Sequence, residues 1–174
     1  MAHHAHDSDR SSIVVLTVTV SDTREATDDV SGERLRALLS EAGFSLAPHR
    51  IVRDEPAEIA ELFGQIATDA RADAVITTGG TGIAPRDRTY EALEPLFEKK
   101  LDGFGEAFRR LSWEQVGARS VLSRASAGVV QGRFVAALPG SPRAVELAVR
   151  ELIVPLLGHA VGLLRGPGVG PSGP

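Results

Sequence analysis

A chain of 174 residues, 43% of them hydrophobic, is long enough for one domain that buries roughly two-thirds of its unfolded surface. It has no cysteine, which excludes a disulfide framework, a thiolate nucleophile and a thiolate metal site, and leaves oxygen or imidazole to hold any metal, with Mg²⁺ the natural hard cation. The net charge is −4 with scattered basic residues, which argues against nucleic acid as a partner; the apolar stretches are interrupted short of the ~20 residues that span a bilayer and the amino terminus lacks a signal-peptide core, so the expectation is a soluble, cytoplasmic protein with no membrane partner.

Residues 1–12 carry His3, His4 and His6 without an apolar pattern and are expected to be a disordered tail. Ile13 to Val20 is a continuous β-branched run, the pattern of a strand covered on both faces. It ends in Ser21-Asp22-Thr23-Arg24. Ser31 and Gly32 then precede a helix with Leu35, Leu38, Leu39 and Ala42 on one face and Gly43 just past its end. Phe44 to Val52 predicts a weaker strand, and Asp54-Glu55-Pro56 starts a helix with the stripe Ile59, Leu62, Phe63 and Ile66.

The centre of the chain is Ala74 to Asp87, a short apolar run that passes into Thr78-Gly79-Gly80-Thr81-Gly82 and then Pro85-Arg86-Asp87. It predicts a buried strand feeding a phosphate-sized loop. Thr89 is read as the cap of a short helix through Leu93 and Leu96, made irregular by Pro95, and Gly103–Leu111 and Ser112–Leu122 as two further helical pieces. Ala125–Val130 and Arg133–Leu138 flank Gln131-Gly132 and predict a hairpin. Ser141 caps and Pro142 opens a last helix with Val145, Leu147, Ala148, Leu152 and Leu156; residues 166–174 are expected to be a flexible end. The βα alternation predicts a single three-layer α/β domain over 13–165, with a mostly parallel sheet and a small antiparallel hairpin. In such sheets ligands bind beyond the carboxyl ends of the strands, where this chain carries Ser21-Asp22, Asp54, the glycine loop and Gly140-Ser141.

The glycine loop is neither a Walker loop, for want of a lysine, nor a full dinucleotide fingerprint. Its glycines let successive N–H groups converge on an anion, with Thr78 and Thr81 as hydroxyl donors; a tight turn without a ligand is the alternative. Asp87 and Asp54 are the two carboxylates that could hold Mg²⁺ beside a polyphosphate, although an aspartate at position 54 could serve only as a helix cap. Arg86 and Arg88 bracket Asp87 and could meet phosphate charge. Gly140 and Ser141 form a helix start open to an anion, or an ordinary cap. His49 and His159 have no acidic or hydroxyl partner at a readable spacing and are read as surface or core residues, and Phe104, Phe108 and Trp113 as core or oligomer packing.

The glycine loop with Pro85-Arg86-Asp87, together with Ser21-Asp22-Thr23-Arg24, Asp54-Glu55, Phe104-Gly105-Glu106, Leu122-Ser123-Arg124-Ala125 and Leu138-Pro139-Gly140-Ser141-Pro142, resembles the MoaB/Mog family of molybdenum cofactor biosynthesis proteins over about residues 13–157. Tyr90 departs from the family pattern, which usually has proline there, and is expected to alter the helix start more than the chemistry. The resemblance implies a molybdopterin-binding α/β/α fold, a homotrimer or a hexamer of trimers, and other molybdenum cofactor biosynthesis enzymes as candidate partners. It implies adenylyl transfer: the terminal phosphate of molybdopterin attacks the α-phosphate of Mg-ATP and pyrophosphate leaves. By position, Asp87 would be essential for transfer and Asp54 would assist in pterin or Mg²⁺ binding. Gly79, Gly80, Thr81 and Gly82 would hold phosphate, while Ser21, Asp22, Gly140 and Ser141 would line the pocket. A non-catalytic molybdopterin-binding or carrier protein of the same fold is the alternative, and a nucleotide-binding α/β enzyme outside molybdenum metabolism is a third reading.

Overall fold

The computed structural model describes residues 8–22, 27–68 and 72–166. The histidines of the expected tail, Thr23, Arg24, the Ile66 side chain and residues 167–174 lie outside the described residues. Three long runs of β-branched and small apolar residues form the middle of one sheet: β1 (Val14–Val20), β4 (Ala74–Thr78) and β7 (Arg133–Leu138). They lie side by side and parallel, with Leu16 opposite Val75 and Val75 opposite Val135. Outside β1 lie β2 (Ser45–Leu46) and β3 (Arg50–Val52), both parallel to it. Outside β7 lie β6 (Ser126–Val130) and then β5 (Lys99–Lys100), each antiparallel to its neighbour.

The alternation of the strands feeds two cores. Ile13 and Val15, Ala74 and Ile76, Phe134, Ala136 and Leu138 face α1 (Val30–Glu41), α4 (Asp102–Val116), α5 (Pro142–Ala148) and α6 (Val154–Arg165). Leu16, Val18 and Val20 with Val75, Val135 and Ala137 face the other way, against Ile59, Leu62 and Phe63 of α2 (Pro56–Thr68) and Leu93 of α3 (Thr89–Leu93). A sheet covered on both faces buries both sets of side chains of its inner strands, so β1, β4 and β7 read as mostly apolar runs whose threonines, Thr17, Thr19, Thr77 and Thr78, are buried with hydrogen-bond partners.

Several elements differ from the sequence reading. The single strand expected over 44–52 is two short ones, because the intervening Ala47-Pro48-His49 includes a residue with no N–H to donate to a ladder. Ser31 and Gly32, expected to precede the first helix, lie within α1, and Asp29 caps it, accepting the Gly32 N–H at 2.9 Å. The helix expected in two pieces around Ser112 is one, followed by a 3₁₀ stretch at Gly117–Leu122. Within the expected tail, Arg10–Ser12 forms a 3₁₀ turn capped by Asp9, and the Ser8 N–H donates to the Gly158 carbonyl, so this part packs onto the domain. The hairpin turn has Gln131 at φ 51° and Gly132 at φ 71°, both left-handed as a type I′ turn requires.

The last helix, Pro142–Arg165, is a continuous 24 residues with a π-helical turn at Val149–Ile153. Pro155 has no N–H for the preceding turn and its ring crowds that turn's carbonyl, which the wider π turn accommodates. The helix is long and apolar enough to cross a bilayer, in contrast to the sequence expectation of interrupted stretches. Val145, Ala148, Val149, Ile153, Leu157 and Val161 are all buried in the core, so one side of it is built into the domain.

Candidate active site

The parallel strands β1, β3, β4 and β7 end together, and the chain leaves each in a polar loop: Ser21-Asp22, Asp54, Gly79 to Asp87, and Pro139 to Ser141. The loops are stitched to one another. Ser21 N–H donates to the Val52 carbonyl and Gly79 N–H to the Leu138 carbonyl, while Asp54 N–H donates to Asp22 Oδ1 at 3.0 Å. The Thr78 hydroxyl donates to the Pro139 carbonyl at 2.9 Å, and Ser31 from the first turn of α1 donates to the Gly140 carbonyl at 2.8 Å. A cavity of about 420 Å³ opens between them, lined by Ser21, Gly79, Gly80, Thr81, Gly82, Arg86, Asp87, Gly140 and Ser141, with Ser123 added. Thr78, expected as a hydroxyl donor to phosphate, is fully buried with its proton already given to Pro139 and does not line the cavity.

Gly79 and Gly80 have φ of 106° and 63°, and a Cβ at Gly79 would collide with the Val20 carbonyl oxygen. Only glycine fits this bend, and the bend orients the loop. The carbonyl of Gly79 accepts from the Thr89 hydroxyl at 3.0 Å and that of Gly80 from the Thr89 N–H at 3.1 Å. The Thr81 carbonyl accepts from the Arg124 N–H at 3.0 Å and the Gly82 carbonyl from Arg124 Nε at 2.8 Å. The N–H groups on the other side of the same peptide units, Gly80, Thr81, Gly82 and Ile83, meet no acceptor among the described residues. In a trans peptide the C=O and N–H point opposite ways, so tying down successive carbonyls presents successive donors together, an anion-binding nest. Thr89, expected as the cap of α3, is its first residue; its side chain and N–H serve the glycine loop instead.

Asp87 belongs to this loop and lines the cavity, while Asp54 packs against the loop from the end of β3 and does not line the cavity. Ala84 to Asp87 closes as a β-turn with Pro85 at its second position: Asp87 N–H donates to the Ala84 carbonyl at 2.9 Å, and Ala84 N–H returns to Asp87 Oδ2 at 2.8 Å. Asp54 is buried, and its Oδ1 accepts the Arg88 N–H at 2.9 Å rather than an N–H of α2, so its carboxylate serves the glycine loop and not its own helix. Burial, foremost, pushes the Asp54 carboxyl above its ordinary range against the Arg88 N–H, and the charges of Asp87, Asp22 and Glu91 add to the rise. No Lys or Arg side chain among the described residues pairs with Asp54 or Asp87. The described residues hold no cluster of three or more metal-binding side chains. The donor set, two or three carboxylate oxygens beside a phosphate-sized nest, suits a hard divalent cation shared with a phosphate rather than one caged by protein alone.

Residues to which the sequence reading gave no role complete the site. Ser123 and Arg124 follow the 3₁₀ stretch; Arg124 is separated from Gly82 by 42 positions, so no spacing rule connects them. A second cavity of about 560 Å³, mostly apolar and including Phe108, Val116 and Leu147, shares Ser123, Pro139 and Ser141 with the first. His49 is not a bare surface or core residue. Its Nε2 lies 3.0 Å from Asp29 Oδ2 and its Nδ1 2.8 Å from the Thr17 hydroxyl. Burial opposes ionisation of Asp29, but hydrogen bonds from Thr19, Gly32 and His49 outweigh it and hold the carboxyl below its usual range. This network anchors the start of α1. Phe104 and Phe108 are core, while Trp113 is half exposed.

The family profile described as "Probable molybdopterin binding domain" matches residues 14–159. The chain is 47% identical over 149 residues to the molybdenum cofactor biosynthesis protein B of Bacillus subtilis, covering 85% of this chain and 88% of that one. A crystal structure of a molybdenum cofactor biosynthesis protein B superposes with a TM-score of 0.85 at 41% identity, covering 88% of this chain and 96% of that one. The tungsten cofactor synthesizing protein MoaB from Pyrococcus furiosus superposes at 0.77 with 39% identity, covering 88% and 97%.

Proposed function

This chain belongs to the MoaB/Mog family of molybdenum cofactor biosynthesis proteins, and from that premise we propose that it binds molybdopterin and transfers an adenylyl group from Mg-ATP to its terminal phosphate. The observation that carries the reading is the run of peptide units from Gly79 to Ile83, with carbonyls held by Thr89 and Arg124 and N–H groups left for an anion. A protein has little covalent work to do in phosphoryl-type transfer; positioning and charge neutralisation dominate.

Each part of the site then has a role. The Gly80 to Ile83 N–H groups hold phosphate oxygens, and Arg86 on the rim adds positive charge. Asp87, pinned by its turn, and Asp54, held by Arg88, would together carry Mg²⁺ against the nucleotide. Bound Mg²⁺ would offset the charge of the phosphates and of the crowded carboxylates. Ser21, Gly140 and Ser141 shape the wall that aligns the terminal phosphate of the pterin with the α-phosphate, a new P–O bond forming as the bond to pyrophosphate breaks; Asp22, expected in that wall, does not line the cavity and instead accepts the Asp54 N–H. The adjoining apolar cavity offers a planar heterocycle a seat out of water. Self-association as a trimer or hexamer is part of the proposal, supported by the exposed Trp113, Val116, Val121 and Leu122 at the end of α4 and the following turn.

Incubation with molybdopterin and Mg-ATP tests the reaction. The expected result is adenylylated molybdopterin and one equivalent of pyrophosphate. Pterin binding without product would leave a carrier; nucleotide binding without pterin affinity would move the protein out of molybdenum metabolism.

A further inference from the structure

We infer that Arg124 is a positioning residue for the transfer, setting the direction of the loop N–H groups from behind without touching the ligand, and that Tyr90 and Glu91 hold it in place. The inference rests on the adenylyl-transfer reading for its kinetic consequence, and on the geometry of the chain alone for its structural one.

Arg124 reaches three carbonyls of the loop. Its main-chain N–H holds Thr81 at 3.0 Å, and its side chain holds the other two, Nε the carbonyl of Gly82 at 2.8 Å and Nη2 that of Asp87 at 3.1 Å. No other group among the described residues donates to those three carbonyls. Thr89 fixes the loop up to Gly80, and the Ala84–Asp87 turn closes on itself, so the segment between them is oriented by Arg124. One residue therefore governs both the Gly82 and Ile83 N–H directions and the backbone of Asp87, the carboxylate assigned to Mg²⁺.

The guanidinium is itself held on its remaining sides. Its Nη1 pairs with Glu91 Oε1, and Nη2 lies 3.2 Å from Glu91 Oε2, a two-point contact that a lysine could not make. Its carbon lies 5.2 Å from the centroid of the Tyr90 ring, within cation–π range. The Tyr90 hydroxyl is tied in turn to Glu94 and, at 2.7 Å, to Lys100 Nζ. Tyr90 and Glu91, neighbours at the start of α3, thus hold Arg124 from two sides.

The test compares Arg124→Gln, Arg124→Lys and Tyr90→Ala with the unaltered protein in adenylyl transfer, and follows the backbone amide shifts of Ile83 and Arg88 in the ligand-free protein. A displacement of about 1 Å in a reacting group is worth about a hundredfold. Arg124→Gln is expected to lower kcat by about that factor with a smaller change in KM, and to shift the Ile83 and Arg88 amides, whose peptide carbonyls the side chain holds, while the rest of the spectrum stays native. Arg124→Lys should recover part of the loss and Tyr90→Ala should lose less than tenfold. A purely structural Arg124 would instead lower the melting temperature and leave kcat of the folded protein unchanged. An Arg124→Gln protein with native loop amides, or with native kcat when the unaltered protein is active, overturns the inference. An unaltered protein that makes no adenylylated product overturns the parent reading, and the amide measurement then still decides whether Arg124 orients the loop.

Discussion

Replacing Gly80 by alanine puts the glycine loop under the most direct strain. At φ 63° an L-residue sits in the left-handed region at about 1–2 kcal/mol. The new methyl would also collide with Thr89 Oγ1 and Asp54 Oδ2. Thr89 can yield only by releasing its hydrogen bond to the Gly79 carbonyl, a buried contact worth about 1 kcal/mol or somewhat more. Together the two effects predict a loss of about 2–4 kcal/mol, or a fall in melting temperature of about 5–15 °C for a domain of this size. Gly103→Ala is the matched control: nothing lies within 4 Å of its added methyl, it sits in α4, and it should be neutral or slightly stabilising. Urea and thermal unfolding by circular dichroism read both. Because Asp54 is displaced as well, transfer should fall further than the folded fraction does. A Gly80→Ala protein that melts with the unaltered one would refute the loop geometry on which the site is built.

Asp87→Ala should lower transfer by about 10²–10³, the scale of a lost preorganised electrostatic contact, while removing the Asp87 to Ala84 bond costs only about 1 kcal/mol of stability; unimpaired turnover would reject the assignment. Asp54, raised above its unfolded value, favours the fold while protonated, so its contribution is present at acid pH and is lost as pH rises through its folded pKa. Asp54→Asn should therefore melt higher than the unaltered protein at neutral pH without Mg²⁺ and fail to gain stability when Mg²⁺ is added, and a lower melting point at neutral pH would contradict this. Asp29, lowered by its partners, has the opposite sign: its contribution is present above its unfolded pKa and is lost as pH falls through the folded one, so Asp29→Asn should flatten the acid limb of a pH–melting curve. Leu122→Asp, on the exposed apolar turn, should shift the sedimentation profile toward monomer with the far-ultraviolet spectrum unchanged.

What was legible in the chain follows from how local the signal is. The inner strands β1, β4 and β7 carry buried runs, rich in β-branched residues in β1 and β4, because both faces are covered, and the Gln131-Gly132 turn and the Ser141-Pro142 helix start are decided by the residues themselves. The glycine loop and its two aspartates were visible for the same reason. β5 was not, since Lys99 and Lys100 are exposed edge residues whose pairing with Val129 and Gly128 comes from the hairpin beside them. The continuity of α4 through Ser112 depends on packing. His49 looked unpartnered because Asp29 and Thr17 lie 20 and 32 positions away. Thr78 and Arg124 exchange roles for a like reason: the threonine beside the glycines turns inward to Pro139, and a distant arginine shapes the loop.

The central claim is that the peptide units from Gly79 to Ile83 present their N–H groups to a phosphate. A crystal structure with adenylylated molybdopterin bound measures this most directly. The account predicts phosphate oxygens about 3 Å from the N–H groups of Gly80 to Ile83, with the Asp54 and Asp87 carboxylates beside them; phosphates seated on another face, with these N–H groups turned to solvent, would contradict it.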